Sequence, residues 1–170
     1  MAEKLSLRDY QRDLAQRLRA AETSRSASLL ALQVGQEGWL VDLADASEVL
    51  PVPAITPVPL TQPWFRGAAN IRGNLYSVVD FSAYLGGAPV ALSEQSRLLL
   101  IGERFRMGSA LLVDRSLGLR NPQQLKPVEA DGAERAPWLK ARYADEDGKA
   151  WKELDLSQLV QQAQFLGVGS

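Results

Sequence analysis

Two stretches of this chain repeat one another, and the repeat limits what it can fold into. Leu29-Leu30-Ala31-Leu32, running on through Leu40-Val41-Asp42, is echoed by Leu98-Leu99-Leu100-Ile101, running on through Leu112-Val113-Asp114. Later in each half, Val79-Asp80-Phe81-Ser82 is echoed by Leu154-Asp155-Leu156-Ser157. The apolar runs are short and bounded by turn residues, which is the pattern of buried strands and not of helices. Each half therefore predicts two hairpins in a small barrel of about five strands, near the size of an SH3-like fold. The fold class expected is mainly β: two SH3-like five-stranded β-barrels packed together, with N-terminal and C-terminal helices. A groove between two such barrels is a default place for binding.

The boundaries follow the pattern. Residues 1–28 read as an N-terminal helix and linker, and 29–166 as one double domain. Its first half spans about 29–90 and its second about 97–160, with strands open to exchange between the barrels. Within 6–22, Leu7, Tyr10, Leu14 and Leu18 share a helical face, and Ser6 with Asp9 resembles a capping box. That face is expected to dock on the protein's own core. Leu29–Val34 and Trp39–Leu43 predict a hairpin with a four-residue loop, Gly35 to Gly38. Ala44–Leu50 reads as a short helix leading into a strand. Pro51, Pro53, Pro57, Pro59 and Pro63 rule out a central strand or helix interior and predict an extended surface crossing. Ala68–Arg72 and Leu75–Phe81 predict a second hairpin turning at Gly73-Asn74 in type II′ geometry. Gly86-Gly87 ends a helical turn. Arg97–Gly102 and Ser109–Asp114 predict strands, 121–137 a polar connection, and Trp138–Tyr143 with Lys149–Leu156 a last hairpin. Residues 157–166 predict a helix with Leu159, Val160, Ala163 and Leu166 on one side.

The chain has no Cys and no His. Disulfides, thiolate metal sites and catalysis by Ser-His-Asp or Cys-His arrangements are excluded, and an enzyme would have to run on carboxylates, Lys or Tyr. Asp42, Asp80, Asp114 and Asp155 recur at strand ends. They are candidates for paired catalytic acids or metal ligands, but capping of the turns and helices that follow explains them better. No catalytic, cofactor or metal residue is expected. The N-terminus is polar and no apolar run suits a bilayer crossing, so a cytoplasmic protein without membrane insertion is expected. Charge is uneven: residues 26–65 hold Glu37, Asp42, Asp45 and Glu48 and no Lys or Arg, whereas 97–126 is rich in Arg. That suits charged protein partners, and an ordinary mixed surface accounts for it equally. The basic stretch is also the sole support for a nucleic-acid-binding tandem barrel, and its aromatics are sparse. A carboxylate-dependent small-barrel enzyme is the other alternative.

The run Gly67-Ala68-Ala69-Asn70-Ile71-Arg72-Gly73, continued by Leu75 to Phe81, resembles the signature of the CheW family: Gly, small, Asn, apolar, Arg, Gly, then an apolar strand ending Val/Ile-Asp-Leu. Ser47 to Pro53 resembles that family's Glu-apolar segment before its crossing strand, and Leu111 to Asp114 its second-half strand. The likeness covers roughly 29–160 and is most like the PilI branch, which serves type IV pilus twitching motility. It implies a double β-barrel adaptor without catalysis or cofactor, bridging the cytoplasmic tip of a chemoreceptor and the regulatory domain of a CheA-like histidine kinase at membrane-associated arrays, with no nucleic acid. It also implies a receptor-binding groove at Ala46, Glu48 and Arg72. An alternative for the last two is that they pair with each other within the fold. Ser77 departs from the family, which usually has Pro there, and Lys140-Ala141-Arg142 replaces a stretch that often contains Gly.

Overall fold

A computed structural model of the chain describes residues 7–26, 28–105, 108–129, 136–162 and 165. Helix α1 (Leu7–Ser26) is followed by β1 (Leu29–Val34), β2 (Glu37–Asp42), β3 (Ala46–Pro51), β4 (Phe65–Ile71), β5 (Asn74–Asp80) and the single turn α2 (Phe81–Tyr84). The second half holds β6 (Arg97–Ile101), β7 (Ser109–Val113), β8 (Arg115–Arg120), β9 (Lys126–Val128), β10 (Leu139–Ala144), β11 (Ala150–Leu154) and α3 (Leu156–Leu159). The strands form two sheets, a six-stranded one ordered β8-β1-β2-β11-β10-β9 and a five-stranded one ordered β3-β6-β7-β5-β4.

The order shows that the two halves trade their first hairpins. β1 and β2 lie among second-half strands, with β1 antiparallel to β8 and β2 parallel to β11. β6 and β7 lie among first-half strands in the same way, β6 antiparallel to β3 and β7 parallel to β5. The matching register shift, between Ala46 and Glu48 on β3 and beside Ala31 and Leu32 on the β1–β8 pair, marks the two as copies of one design.

Both sheets curl, and in each a connecting segment runs from one edge strand to the other. In the five-stranded sheet, the chain after β3 reaches across to the far edge, where Thr56 and Ala68 exchange backbone hydrogen bonds of 2.8 and 2.9 Å. In the six-stranded sheet, β8 and β9 sit at opposite ends, yet only residues 121–125 join them, part of them in a 3₁₀ turn. A flat sheet of that size is about 24 Å across, more than such a tightened link can span. We call the five-stranded sheet barrel one and the six-stranded sheet barrel two.

The traded hairpins are buried on both faces, which is why they read as continuous apolar runs. Leu98, Leu100, Ala110 and Leu112 fill barrel one with Ala69, Ile71, Val78 and Val90. Leu29, Ala31 and Leu40 fill barrel two with Leu125 and Trp151. The alternate residues, Leu30, Leu32, Val41, Leu99, Leu111 and Val113 among them, meet in a central core between the barrels. Each fully buried Leu contributes roughly 1.5–3 kcal/mol.

Several expectations are corrected. Ala44–Leu50 is not helical: Asp42 accepts from the Ala44 amide at 2.8 Å to form a turn, and β3 starts at Ala46 because β6 offers it a strand partner. The first hairpin turns on two residues, Gly35 and Gln36, with Gly35 at φ +60, and β2 begins at Glu37. β8 has no counterpart among the expected strands, because only Leu117 and Leu119 of Arg115 to Arg120 are apolar and Gly118 lies between them, and β9 falls within the stretch expected as a connection. The crossing 51–63 is irregular and largely exposed, as the prolines demand, with Val52 and Ile55 packed on the core of barrel one. The stripe of α1 does not dock on the core. Leu7, Tyr10, Leu14 and Leu18 are 74, 62, 46 and 57% exposed. The reason lies next door, since both faces of β1 and β2 are already covered. The helix expected over 157–166 is a single turn, α3, that ends at Leu159 with Val160 as its C-cap, and 160–162 are not helical; Ser6, Ala163 and Leu166 lie outside the described residues, and so does the cap of α1.

Candidate functional site

The run from Gly67 to Gly73 has a physical explanation at each position. Gly67 is at φ +133, and a Cβ there would come within 2.1 Å of the Thr56 carbonyl oxygen. Only glycine lets the crossing segment close barrel one at this point. Asn70 accepts from the Gly73 amide at 3.0 Å and clamps the β4–β5 turn. Ile71 is buried in the barrel. The turn residues are Arg72 at φ +53 and Gly73 at φ +84. Two consecutive left-handed residues are what a two-residue type I′ hairpin requires, so the expected Gly73-Asn74 turn is displaced by one residue and Asn74 starts β5 opposite Ile71. A non-glycine residue in that conformation costs about 1 kcal/mol relative to glycine, and such strain concentrates at functional positions.

The turn delivers the Arg72 side chain to Glu48 of β3. Nη1 donates to Oε2 at 2.7 Å and Nη2 to Oε1 at 2.5 Å, a forked guanidinium–carboxylate contact. Glu48 holds the Arg72 guanidinium above its usual pKa, first through the hydrogen bonds and then through its charge. β3 and β4 are opposite ends of the same sheet, so the fork ties the rim of barrel one where it closes. The pair stays at the surface, with side-chain exposures of 72% for Arg72 and 33% for Glu48. An exposed pair of this kind adds little stability. The structure thus brings together two of the residues assigned to the groove, in the intramolecular pairing that was the alternative. Ala46 lies on the same strand across from Ile101 and packs partly against the central core.

The recurrent aspartates are occupied by the backbone. Asp80, fully buried, caps α2 through the Ala83 amide at 3.0 Å and also accepts from the Val90 amide at 2.8 Å, with Arg66 at 3.4 Å. Asp155 caps α3 through the Gln158 amide at 3.2 Å. Asp114 accepts from the Gly35 amide at 2.5 Å, and Asp42 from Ala44. Among the described residues no three acids form a group able to hold a metal ion. The basic stretch is partly spent internally: Arg104 pairs with Asp45, Arg97 donates to the Ser96 carbonyl at 2.8 Å, and Arg120 lies 5.5 Å over the Trp151 ring. Sequence reasoning missed Trp39, Tyr84, Trp138, Glu37 and Lys152, which line a cavity of about 480 Å³. Aromatic content was the available signal, but these residues are distant in sequence. Among the described residues, no helix is long and apolar enough to cross a membrane.

With this geometry in view, the comparisons with known proteins converge. Residues 28–164 match the sequence profile of the CheW-like domain. The chain is 31% identical to the protein PilI of Pseudomonas aeruginosa over 115 residues, 64% of this chain and 64% of that protein, so it spans just under two thirds of that relative's length. It is 24% identical to the chemotaxis protein CheW of Thermotoga maritima over 147 residues, 84% of this chain and 93% of that one. The crystal structure of the scaffolding protein TtCheW from Thermoanaerobacter tengcongensis superposes with a TM-score of 0.68 at 18% identity, covering 84% of this chain and 97% of that one, which shows a shared fold. A repeat of two barrels trading hairpins, an Asn-Ile-Arg-Gly turn at the rim, and a profile match over most of the sequence lead to one conclusion: the chain belongs to the CheW-like domain family.

Proposed function

We propose that this protein is a non-catalytic adaptor that couples the cytoplasmic tip of a methyl-accepting chemoreceptor to the regulatory domain of a CheA-like histidine kinase, within pilus-type twitching signalling. The observation that carries the reading is the exposed Arg72–Glu48 fork at the rim of barrel one. In this reading the exposed Arg72 guanidinium exchanges its fork from Glu48 to a carboxylate on a receptor helix, and its surface position and left-handed backbone support that role. Ala46 and Glu48, on the adjacent strand, complete the receptor-facing groove in this proposal. The likeness to PilI supports the pilus branch over a flagellar one.

The test is binding of the purified protein to a receptor tip fragment and to a kinase regulatory domain at low salt. Arg72→Glu is expected to weaken receptor binding by about tenfold or more, while leaving the thermal transition near that of the unchanged protein. The exchanged pair Glu48→Arg with Arg72→Glu restores the internal fork with its polarity reversed. Continued loss of receptor binding in the exchanged pair assigns the residues to the partner. Recovery assigns them to the rim of the barrel alone, and failure to bind either partner would overturn the adaptor reading.

A further inference from the structure

Helix α1 is 20 residues long, and its side chains from Leu7 to Arg19 are all exposed. Among them are the four large apolar residues of the stripe, Leu7, Tyr10, Leu14 and Leu18. An amphipathic helix takes most of its stability from packing, and one of this length is marginal alone in water. The stripe therefore calls for a cover, and the barrels do not supply it.

The shape of the stripe says what kind of cover fits. At about 100° per residue its four side chains fall within about 80° of the helix surface. That is the width of a seam between two helices and narrower than the face of a helix laid on a core. Its margins are polar, with Gln11 on one side and Asp13 and Arg17 on the other, the last two paired at 3.1 Å. An acid at the margin of so narrow a stripe does not suit an anionic lipid surface. The spacing is also self-complementary. Leu7 lies as far before the middle of the stripe as Leu18 lies after it, and Tyr10 and Leu14 flank that middle. A second α1 running the opposite way sets Leu7 against Leu18 and Tyr10 against Leu14, and a two-fold axis repeats both contacts. Charge follows the same direction. Asp9, Asp13 and Arg17 lie in that order along one side of the helix, so reversal brings Arg17 of one copy beside Asp9 of the other. Connectivity does too. β1 begins three residues after α1 ends, so the barrels follow its C-terminal end closely. Parallel helices would crowd two bodies at one end, whereas reversal sets the two Ser26 ends roughly 40 Å apart.

We infer that the protein pairs with a second copy of itself through α1, the two helices antiparallel with Leu7 against Leu18 and Tyr10 against Leu14. A seam of this length buries on the order of 1,000 Å², the lower bound for a specific interface, so the pair forms and separates with concentration. The pair goes beyond the adaptor reading, because one particle then carries two Arg72–Glu48 rims.

The test is the mass of the full chain in solution from about 2 to about 200 µM, the range in which so small a seam is expected to dissociate. The expected result is a rise from one chain to two. Leu14→Glu is expected to weaken the association by about tenfold or more. Its thermal midpoint should stay unchanged, because Leu14 touches no core. The direction of the helices is read by cross-linking, which the absence of Cys makes clean. Leu7→Cys chains mixed with Leu18→Cys chains are expected to form a disulfide across the pair. Neither variant alone is expected to do so, since like positions stand about 15 Å or more apart along an antiparallel pair, beyond disulfide reach. A single chain at about 200 µM overturns the proposal, and so does a dimer that Leu14→Glu leaves intact. Cross-linking of each variant with itself in preference to the mixture overturns the antiparallel seam. A chain that stays single while its stripe binds a receptor helix or anionic vesicles assigns the stripe to that partner and overturns the proposal as well.

Discussion

Barrel one and barrel two are copies that have diverged in how they close. Barrel one is sealed by a backbone bridge from Thr56 to Ala68 and by the Arg72–Glu48 fork. Its interior is lined by apolar residues from Ala69 to Leu112, with the buried Asp80 carboxylate bonded to the Val90 amide. Barrel two closes through the short link between β8 and β9. Gly118 stands opposite Ala31, the place that Glu48 holds opposite Leu100 in barrel one. Its β11 carries Glu153, only 5% exposed and hydrogen-bonded to the Tyr143 hydroxyl at 3.1 Å. Glu153 precedes the capping Asp155 as Val78 precedes Asp80 in barrel one. The difference teaches that two copies of one scaffold place their charges differently: barrel one joins its opposite edge strands through the Arg72–Glu48 fork, whereas barrel two pairs Lys140 with Glu153 and Lys152 with Glu37. The forked contact across the closing edges is thus a feature of barrel one and not of the fold.

The sharpest way to break this comparison is at the two glycines. Gly67→Ala forces a Cβ into the Thr56 backbone and should cost about 3 kcal/mol or more in chemical denaturation. Gly118→Ala, at φ +84 with open space around it, should cost only about 1 kcal/mol. Equal costs would mean that the Thr56–Ala68 bridge does not seal barrel one. The caps come next. Asp80→Ala leaves the Ala83 and Val90 amides unmet in a buried setting and should lose about 2–3 kcal/mol. Asp155→Ala removes a more exposed cap and should lose about 1 kcal/mol.

A smaller effect is expected at the rim. Arg72→Gly relieves the left-handed strain and gives up an exposed ion pair, two changes that oppose each other. The denaturation midpoint should therefore move only slightly, with receptor binding lost. A large destabilisation would recast the fork as a structural closure.

The smallest effect separates the hairpin turns. Barrel one clamps its turn with the neutral Asn70, barrel two with Asp145. The Trp151 indole, donating at 3.0 Å, is the main reason Asp145 titrates below its usual 3.8; burial opposes this, and the amides of Lys149 and Asp147 and the charge of Lys149 add to it. A depressed carboxylate stabilises the fold above its unfolded value. That contribution should fade as pH falls below 3.8 through the lower folded value. Acid titration of stability should show this loss in the unchanged protein and a flatter profile in Asp145→Asn.

Much of the fold was legible because strand burial leaves a local trace. The paired apolar runs of β1–β2 and β6–β7, the proline crossing and the Asp caps each follow from what neighbouring residues require. β3 escapes a local reading because Ala44 to Leu50 suits a helix and becomes a strand only through β6. The candidate site was half legible. Asn70, Arg72 and Gly73 announced a turn and Glu48 a matching charge, but the aromatic cavity gathers residues from positions 37 to 152, and no local pattern relates them.

The sequence by itself determined that two hairpin-rich halves would form small β-barrels, since alternation and turn chemistry act over a few residues. Only the tertiary structure decided that the halves exchange their first hairpins, because the two hairpins are alike and local preference does not choose between barrels. Only the structure, too, joined Arg72 to Glu48. Their contact depends on the curl of a whole sheet, a sum of long-range pairings that no short stretch encodes.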